Sequence, residues 1–243
     1  MRDWAGKRYW LIGASEGLGE ALAERMSKAG VELVLSARSR DKLETLAGRL
    51  PGRARAVPLD VTDLDSLKRA AEEAGEVDGM VYLAGAYWPF SAREIDAEKI
   101  EAMGDINFTG ALRAVAVALP PMVARDRGHV VLTGSLSGFR GLPGAVGYAP
   151  SKAGVMALAE SMYCDLRKTG VEVQVANPGF IRTRLTDKND FHMPFLMEPE
   201  DAAERMFGHM SRGGFKYSFP TAFSWVFRGG QFLPDWLYYR IFS

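Results

Sequence analysis

Short apolar runs alternate with longer helical patterns along almost the whole chain, and no other feature limits its fold as tightly. The runs are RYWLIG, VELVLSA, RAVPL, DGMVYLA, HVVLTGS, VEVQVANP and KYSF. Helical spacing occupies residues 17–29, 40–48, 63–75, roughly 97–124, roughly 147–169 and the segment EPEDAAERMFGHM. Strands that are apolar throughout must be covered on both faces, and right-handed crossovers place a helix over each strand pair. The pattern therefore predicts an α/β fold, a doubly wound parallel sheet. With 243 residues and 47% apolar content, one core suffices. We expect a single domain over residues 1–220, followed by an aromatic-rich tail over 221–243.

Thirty basic and thirty acidic side chains cancel, so no overall field favours nucleic acid, and none is expected as a partner. The only cysteine, Cys164, can form no internal disulfide, and its neighbours MYCDL read as a helix interior, which makes it a small core residue. The N-terminal segment shows no apolar run of signal-peptide length, and no stretch of about 18 apolar residues is evident. A cytoplasmic location follows as the expectation. His129, His192 and His209 lack metal-ligand spacing, and no metal is assigned.

Gly13, Gly17 and Gly19 fall between the first strand and the first helix. Missing side chains there let the backbone approach a pyrophosphate, and the helix N-terminus offers free N–H donors. About 20 residues further on, a site for NAD carries a carboxylate for the ribose 2′-hydroxyl. Here Ala37 is followed by Arg38, whose guanidinium can bind a 2′-phosphate with bidentate, charge-assisted hydrogen bonds. NADP(H) is favoured over NAD(H), although Glu16, inside the loop, works in the opposite sense. Asp60, after the third strand, can accept from an adenine amino group or cap the turn at DVTD.

Tyr148 and Lys152, four residues apart, share one face of a helix. A free tyrosine has a pKa of about 10, and bringing it near 7 needs about 4 kcal/mol. One cation about 4 Å away supplies roughly that at an effective dielectric of about 20. Ser135 ends the strand HVVLTGS at the carboxyl edge, where it can hold a substrate carbonyl or cap the following turn. Asn107 is an amide within a helical pattern, where Asn is a poor former, and a buried amide there can anchor a water near Lys152.

Taken together these residues resemble the short-chain dehydrogenase/reductase family, from about residue 7 to about 219, and the resemblance implies a Rossmann-like fold. The loop GASEGLG, with Ser15 and Leu18 among its glycines, looks like the family's cofactor loop. Asp60 and Val61 fall at its adenine contact, and LAGA, which includes Ala84 and Gly85, resembles its fourth-strand motif. The resemblance makes Asn107, Ser135, Tyr148 and Lys152 the catalytic tetrad, with Tyr148 and Lys152 also binding the cofactor. It assigns NPGFIRT, through Pro178, Gly179, Ile181 and Thr183, to the nicotinamide. Two positions depart from the pattern: Ile12 stands where the family has Thr and Leu83 where it has Asn. An apolar contact between them is expected to replace the usual polar tie.

The implied activity is interconversion of a carbonyl and a secondary alcohol. The apolar segments AYWPF, SGFRGLPGAV and FHMPFLM, expected over the site, favour a hydrophobic small-molecule substrate. A catalytically silent NADP(H) sensor is the rival, and the complete tetrad argues against it. The resemblance also implies a homodimer or homotetramer, with the helices bearing Asn107 and Tyr148 at the interface. Eleven aromatic residues fall between Phe215 and Ser243, where Gly229, Gly230 and Pro234 exclude a single membrane-spanning helix. Packing of this tail on the body or on a second subunit is favoured over contact with a lipid surface, cover over a lipophilic substrate entrance, or a lipid-acting role.

Overall fold

A computed structural model describes residues 2–242. Seven parallel strands form one sheet in the order β3-β2-β1-β4-β5-β6-β7. They are β1 Arg8–Ile12, β2 Glu32–Ser36, β3 Ala54–Ala56, β4 Gly79–Tyr82, β5 Gly128–Thr133, β6 Val171–Pro178 and β7 Lys216–Phe219. Alternate strand residues feed opposite layers, as the period of two requires. Trp10, Ile12, Met80, Tyr82, Val130 and Leu132 face one core cluster, whereas Tyr9, Leu11, Val81 and Val131 face the other. Helices α1 (Gly17–Lys28), α2 (Arg40–Arg49) and α7 (Pro199–Arg212) cover the second face. The first is covered by α3 (Leu64–Ala74), α5 (Gly110–Ala124) and α6 (Tyr148–Leu166). The arrangement is a single doubly wound α/β domain.

Most polar groups inside the sheet are paired, as low dielectric demands. His129 is fully buried between the Tyr9 hydroxyl at 2.8 Å and Gln174 Oε1 at 2.8 Å, and desolvation pushes its imidazole down to about 3. It is a structural histidine, neutral over the whole physiological range.

Three expectations change. Cys164 lies on the exposed side of α6, not in the core. The helical pattern at 97–124 is divided by one π-helical turn at Asp105–Thr109, between α4 (Ala97–Gly104) and α5. The same run is long and apolar enough to cross a membrane, with mean hydropathy 1.4, although no such stretch stood out in the sequence. It lies instead across the sheet, where Ala111, Ala114, Ala118 and Met122 enter the core.

The tail forms two short helices, α8 (Thr221–Gly230) and α9 (Asp235–Phe242). Tyr238 is buried against the body, whereas Trp225, Phe232, Trp236, Tyr239 and Ile241 stand exposed.

Candidate active site

The connections leaving β1 and β4 run to opposite faces, opening a crevice at the carboxyl ends of these neighbouring strands, the usual place for a ligand in this architecture. A cleft of about 1890 Å³ occupies that position. All the candidate catalytic and cofactor-binding residues line it except Asn107, which lies buried behind its wall.

At one end the wall is backbone. A methyl added to Gly13 would lie 2.4 Å from the Ala84 nitrogen, and one on Gly19 would lie 2.0 Å from the Gly13 carbonyl oxygen. At Gly17, φ is +56° and a methyl would meet Thr183 Cγ2 at 2.8 Å, bringing the glycine loop against the segment after β6. Only glycine permits this packing. Ser15 and Leu18 complete the loop, and α1 points its N-terminus into the cleft.

Arg38 follows β2, exposed at the rim, and among the described residues it makes no ion pair. Glu16 is already engaged: Lys42 Nζ lies 2.7 Å from Oε1 and Arg184 Nη2 3.0 Å from Oε2. The acid that opposes a 2′-phosphate is thus held by two cations, neither of which was singled out in the sequence. Asp60 accepts from Thr62 through both N (2.9 Å) and Oγ1 (2.8 Å), so the turn-capping role is occupied, while the residue also lines the cleft beside Val61.

The expected apolar tie between Ile12 and Leu83 is replaced by backbone. The amides of Leu83 and Ala84 donate to the Ile12 carbonyl at 2.7 and 2.9 Å. The two side chains serve opposite layers, Ile12 in one cluster and Leu83 against the other, because they occupy strand positions of opposite parity.

At the other end the wall is side chains. Ser135 sits just past β5, where its Oγ accepts from the Ser137 amide at 3.2 Å and shares a hydrogen bond with Ser137 Oγ at 2.9 Å. Tyr148 opens α6, with its ring edge-on to Tyr87 at 4.9 Å. Lys152 is buried one turn along, Nζ 5.8 Å from the Tyr148 ring centre and donating to the Thr133 carbonyl at 2.9 Å. The π-helical turn aims Asn107 inward. Its Oδ1 accepts from the Ala86 amide (2.7 Å), and its Nδ2 donates to the Ala86 carbonyl (2.9 Å) and Ser151 Oγ (2.9 Å). Ser151 in turn donates to the Tyr148 carbonyl at 2.7 Å. A methyl on Gly85 would lie 3.5 Å from Asn107 Oδ1 and 3.9 Å from Lys152 Nζ, so amide and ammonium flank one backbone position.

The electrostatics differ from the expectation that Lys152 lowers the phenol. Although Tyr148 is only part-buried as a residue, desolvation dominates and pushes it up to about 12, with the Ser135 hydroxyl pulling the other way. Desolvation likewise brings Lys152 down to about 8. The ammonium is spent on the Thr133 carbonyl, and no hydrogen bond joins it to the phenol.

Pro178, Gly179, Ile181 and Thr183 form the side of the cleft beyond β6. Thr133 Oγ1, at the end of β5 in the same cleft wall, is buried without a partner among the described residues.

A family model described as short chain dehydrogenase matches residues 7–193. This chain belongs to that family. An uncharacterised oxidoreductase of Myxococcus xanthus is 38% identical over 98% of this chain and 97% of its own length. One from Staphylococcus saprophyticus is 32% identical over 80% of this chain and 86% of its own. Among solved structures, a short-chain dehydrogenase from Sphingobium yanoikuyae in complex with NADPH superposes with a TM-score of 0.84 at 26% identity, covering 92% and 91% of the two chains. A putative β-ketoacyl-ACP reductase gives 0.79 at 28% identity, covering 88% and 96%. This short-chain dehydrogenase is accordingly an oxidoreductase of carbonyl and alcohol groups that uses a nicotinamide cofactor.

Residues that sequence reasoning did not single out are Lys42, Thr133, Arg184, Phe223 and Phe227, all in the cleft wall. Phe223 and Phe227 depend on the tail, which carries no local signature of where it packs.

Proposed function

We propose that this enzyme interconverts a carbonyl and a secondary alcohol on a hydrophobic substrate, using NADP(H), with Tyr148 as acid/base. The observation that carries the cofactor reading is Arg38, a guanidinium without an ion pair among the described residues, at the rim of a cleft whose glycine-built cradle admits no side chain. The NADPH complex of the Sphingobium relative supports it.

The residues present fit such a cofactor: the glycine cradle, the Arg38 guanidinium and the Thr133 hydroxyl, unpartnered among the described residues, all line the one cleft. Gly13, Ser15, Gly17, Leu18 and Gly19 would hold its pyrophosphate by backbone donors, and Arg38 its 2′-phosphate. Asp60, Val61, Ala84 and Gly85 would bracket the adenosine half, and Pro178, Gly179, Ile181 and Thr183 the nicotinamide. When bound, NADP(H) supplies the hydride donor or acceptor. Ser135 holds the substrate oxygen, for which its hydroxyl must turn from Ser137. Tyr148, protonated far above neutrality, is loaded to donate a proton to that oxygen in the reductive direction. Lys152 contributes a positive charge below about pH 8, and Asn107 fixes the backbone of Ala86 and the start of α6 around it.

The test is a titration with NADPH and NADH, followed by nicotinamide fluorescence, alongside Arg38→Ala. Loss of one charge-assisted pair should weaken NADPH binding by roughly 10- to 100-fold and leave NADH nearly unchanged. Equal weakening of both would refute the 2′-phosphate role. Failure of either nucleotide to bind would remove the reading.

We infer a homodimer or homotetramer, because the helices bearing Asn107 and Tyr148 expose Leu112, Val123 and Tyr163. A monomer in sedimentation at high salt would contradict it. Contact of the tail with lipid is the second reading, favoured by Phe232 and Trp236 standing 89% and 69% exposed. Cosedimentation of the full chain with anionic vesicles decides it, and no binding would exclude it.

A further inference from the structure

The tail touches both loops that wall the substrate end. Arg140 lies on the loop between Ser135 and Tyr148, and its guanidinium is consumed by the tail. Nη1 donates to the Gly230 carbonyl at 3.0 Å and the Leu233 carbonyl at 2.8 Å, and Nη2 donates to the Asp235 carboxylate. The guanidinium carbon stands 3.9 Å from the centre of the Tyr238 ring. Tyr238, only 3% exposed, returns its hydroxyl to the Gly141 carbonyl at 2.8 Å. A cation at the carbonyl end of α8 meets the negative end of the helix dipole, and the planar fork satisfies several acceptors at once.

From the same helix, Phe223 and Phe227 point into the cleft, four residues apart and 5.0 Å between ring centres. Phe223 also packs on Phe180 at 6.0 Å and Phe195 at 5.3 Å, both from the segment after β6. One short helix therefore joins the loop held by Arg140 to the loop that carries Phe180 and Phe195.

We propose that α8 is the specificity element of this dehydrogenase. Phe223 and Phe227 form the wall that recognises an extended apolar chain attached to the reacting carbonyl, and Arg140 is the positioning residue that docks that wall. The inference rests on the carbonyl-reductase reading and adds the class of substrate: ketones with a long unbranched or ring-bearing apolar part. Each methylene shielded by such a wall is worth about fourfold in binding. Selectivity should therefore rise with chain length until the wall ends.

The experiment compares butanone with undecanone as substrates, with NADPH, in the wild type, the Phe223→Ala/Phe227→Ala double variant, Arg140→Ala and Arg140→Lys. In the double variant the undecanone-to-butanone ratio of kcat/KM should fall about tenfold or more, mainly through KM for undecanone, with NADPH affinity retained. Arg140→Ala should lower the ratio in the same direction. Arg140→Lys should recover part of it, because an ammonium keeps the charge and loses the fork. An unchanged ratio in the double variant would overturn the proposal, and so would loss of NADPH affinity in step with the ratio. If the wild type turns over neither ketone, the reductase reading fails separately. Calorimetric binding of undecanone then decides the wall: weaker binding in the double variant retains it, and equal binding overturns it.

Discussion

A methyl group added to Gly19 would lie 2.0 Å from a backbone oxygen, whereas at the other end of the same cleft Phe191 stands 48% exposed. The nucleotide end keeps its shape by leaving side chains out; the substrate end gets its shape by putting large ones in. Close approach of one backbone to another has almost no slack, since each overlap is between atoms that no rotamer change can move. Aromatic walls on loops and a tail can be reshaped one residue at a time with modest loss of packing. A fixed cofactor and a variable substrate need these two kinds of construction, and this chain keeps them at opposite ends of one cleft.

The largest expected effect comes from breaking the rigid end. Gly19→Ala forces a methyl onto the Gly13 carbonyl, so the glycine loop must move as a unit. NADPH affinity should fall by roughly 100-fold or more, on the order of 3 kcal/mol, with a lowered melting temperature. The matched change at the other end, Phe191→Ala, should alter stability by no more than about 0.5 kcal/mol and leave NADPH binding in place. Fluorescence titration and thermal melting of both variants check the contrast. Near-native NADPH binding by Gly19→Ala would show that the loop is not rigid, and the comparison would fail.

This contrast also explains what the sequence could disclose. The succession of strands and helices, the glycine cradle and the positions of Ser135, Tyr148 and Lys152 were legible because each depends on short-range rules: strand period, backbone sterics and helical spacing. Asn107 was legible as an anomaly, a weak helix former inside a helix, although the π-helical turn that aims it inward leaves no mark in residue periodicity. Cys164 was misplaced because helical spacing gives a face only when the partner of that face is known. Ile12 and Leu83 were read as neighbours, but strand parity sends their side chains to different layers. Phe223 and Phe227 could be seen as aromatic, yet nothing local says that α8 folds back over the cleft. That depends on Arg140, about 90 residues earlier in the chain.

A smaller effect sharpens the boundary between the two ends. Lys152 sits where they meet, and desolvation lowers its pKa from 10.5 to about 8. The sign follows directly: the ammonium is present below about pH 8 and is lost as pH rises through it. Tyr148, held up to about 12, stays protonated throughout that window. If the charge of Lys152 assists proton donation from Tyr148, kcat/KM for ketone reduction should be level near neutrality and fall above about pH 8, approaching tenfold per unit. Lys152→Met should abolish the bend along with most of the rate. A profile that stays flat to pH 10 in the wild type would remove the charge of Lys152 from the mechanism.

The smallest effect tests whether the nucleotide end is as finely set in charge as in shape. Glu16 puts a carboxylate on the cofactor loop of a site read as binding a 2′-phosphate, and it holds Lys42 and Arg184 at 2.7 and 3.0 Å. Both pairs are part-exposed, so each is worth about 1 kcal/mol at most. Glu16→Gln removes the repulsion and frees Lys42, which lines the same rim as Arg38. NADPH should then bind a few-fold tighter at low salt, with the gain shrinking as ionic strength rises, while NADH, lacking the phosphate, changes less. A loss of NADPH affinity instead would mean that Glu16 works chiefly as a tie, holding the segment with Arg184 over the glycine loop where Thr183 meets Gly17. The nucleotide end would then owe part of its closure to side chains, and the division between its two methods of construction would be narrower than its glycines suggest.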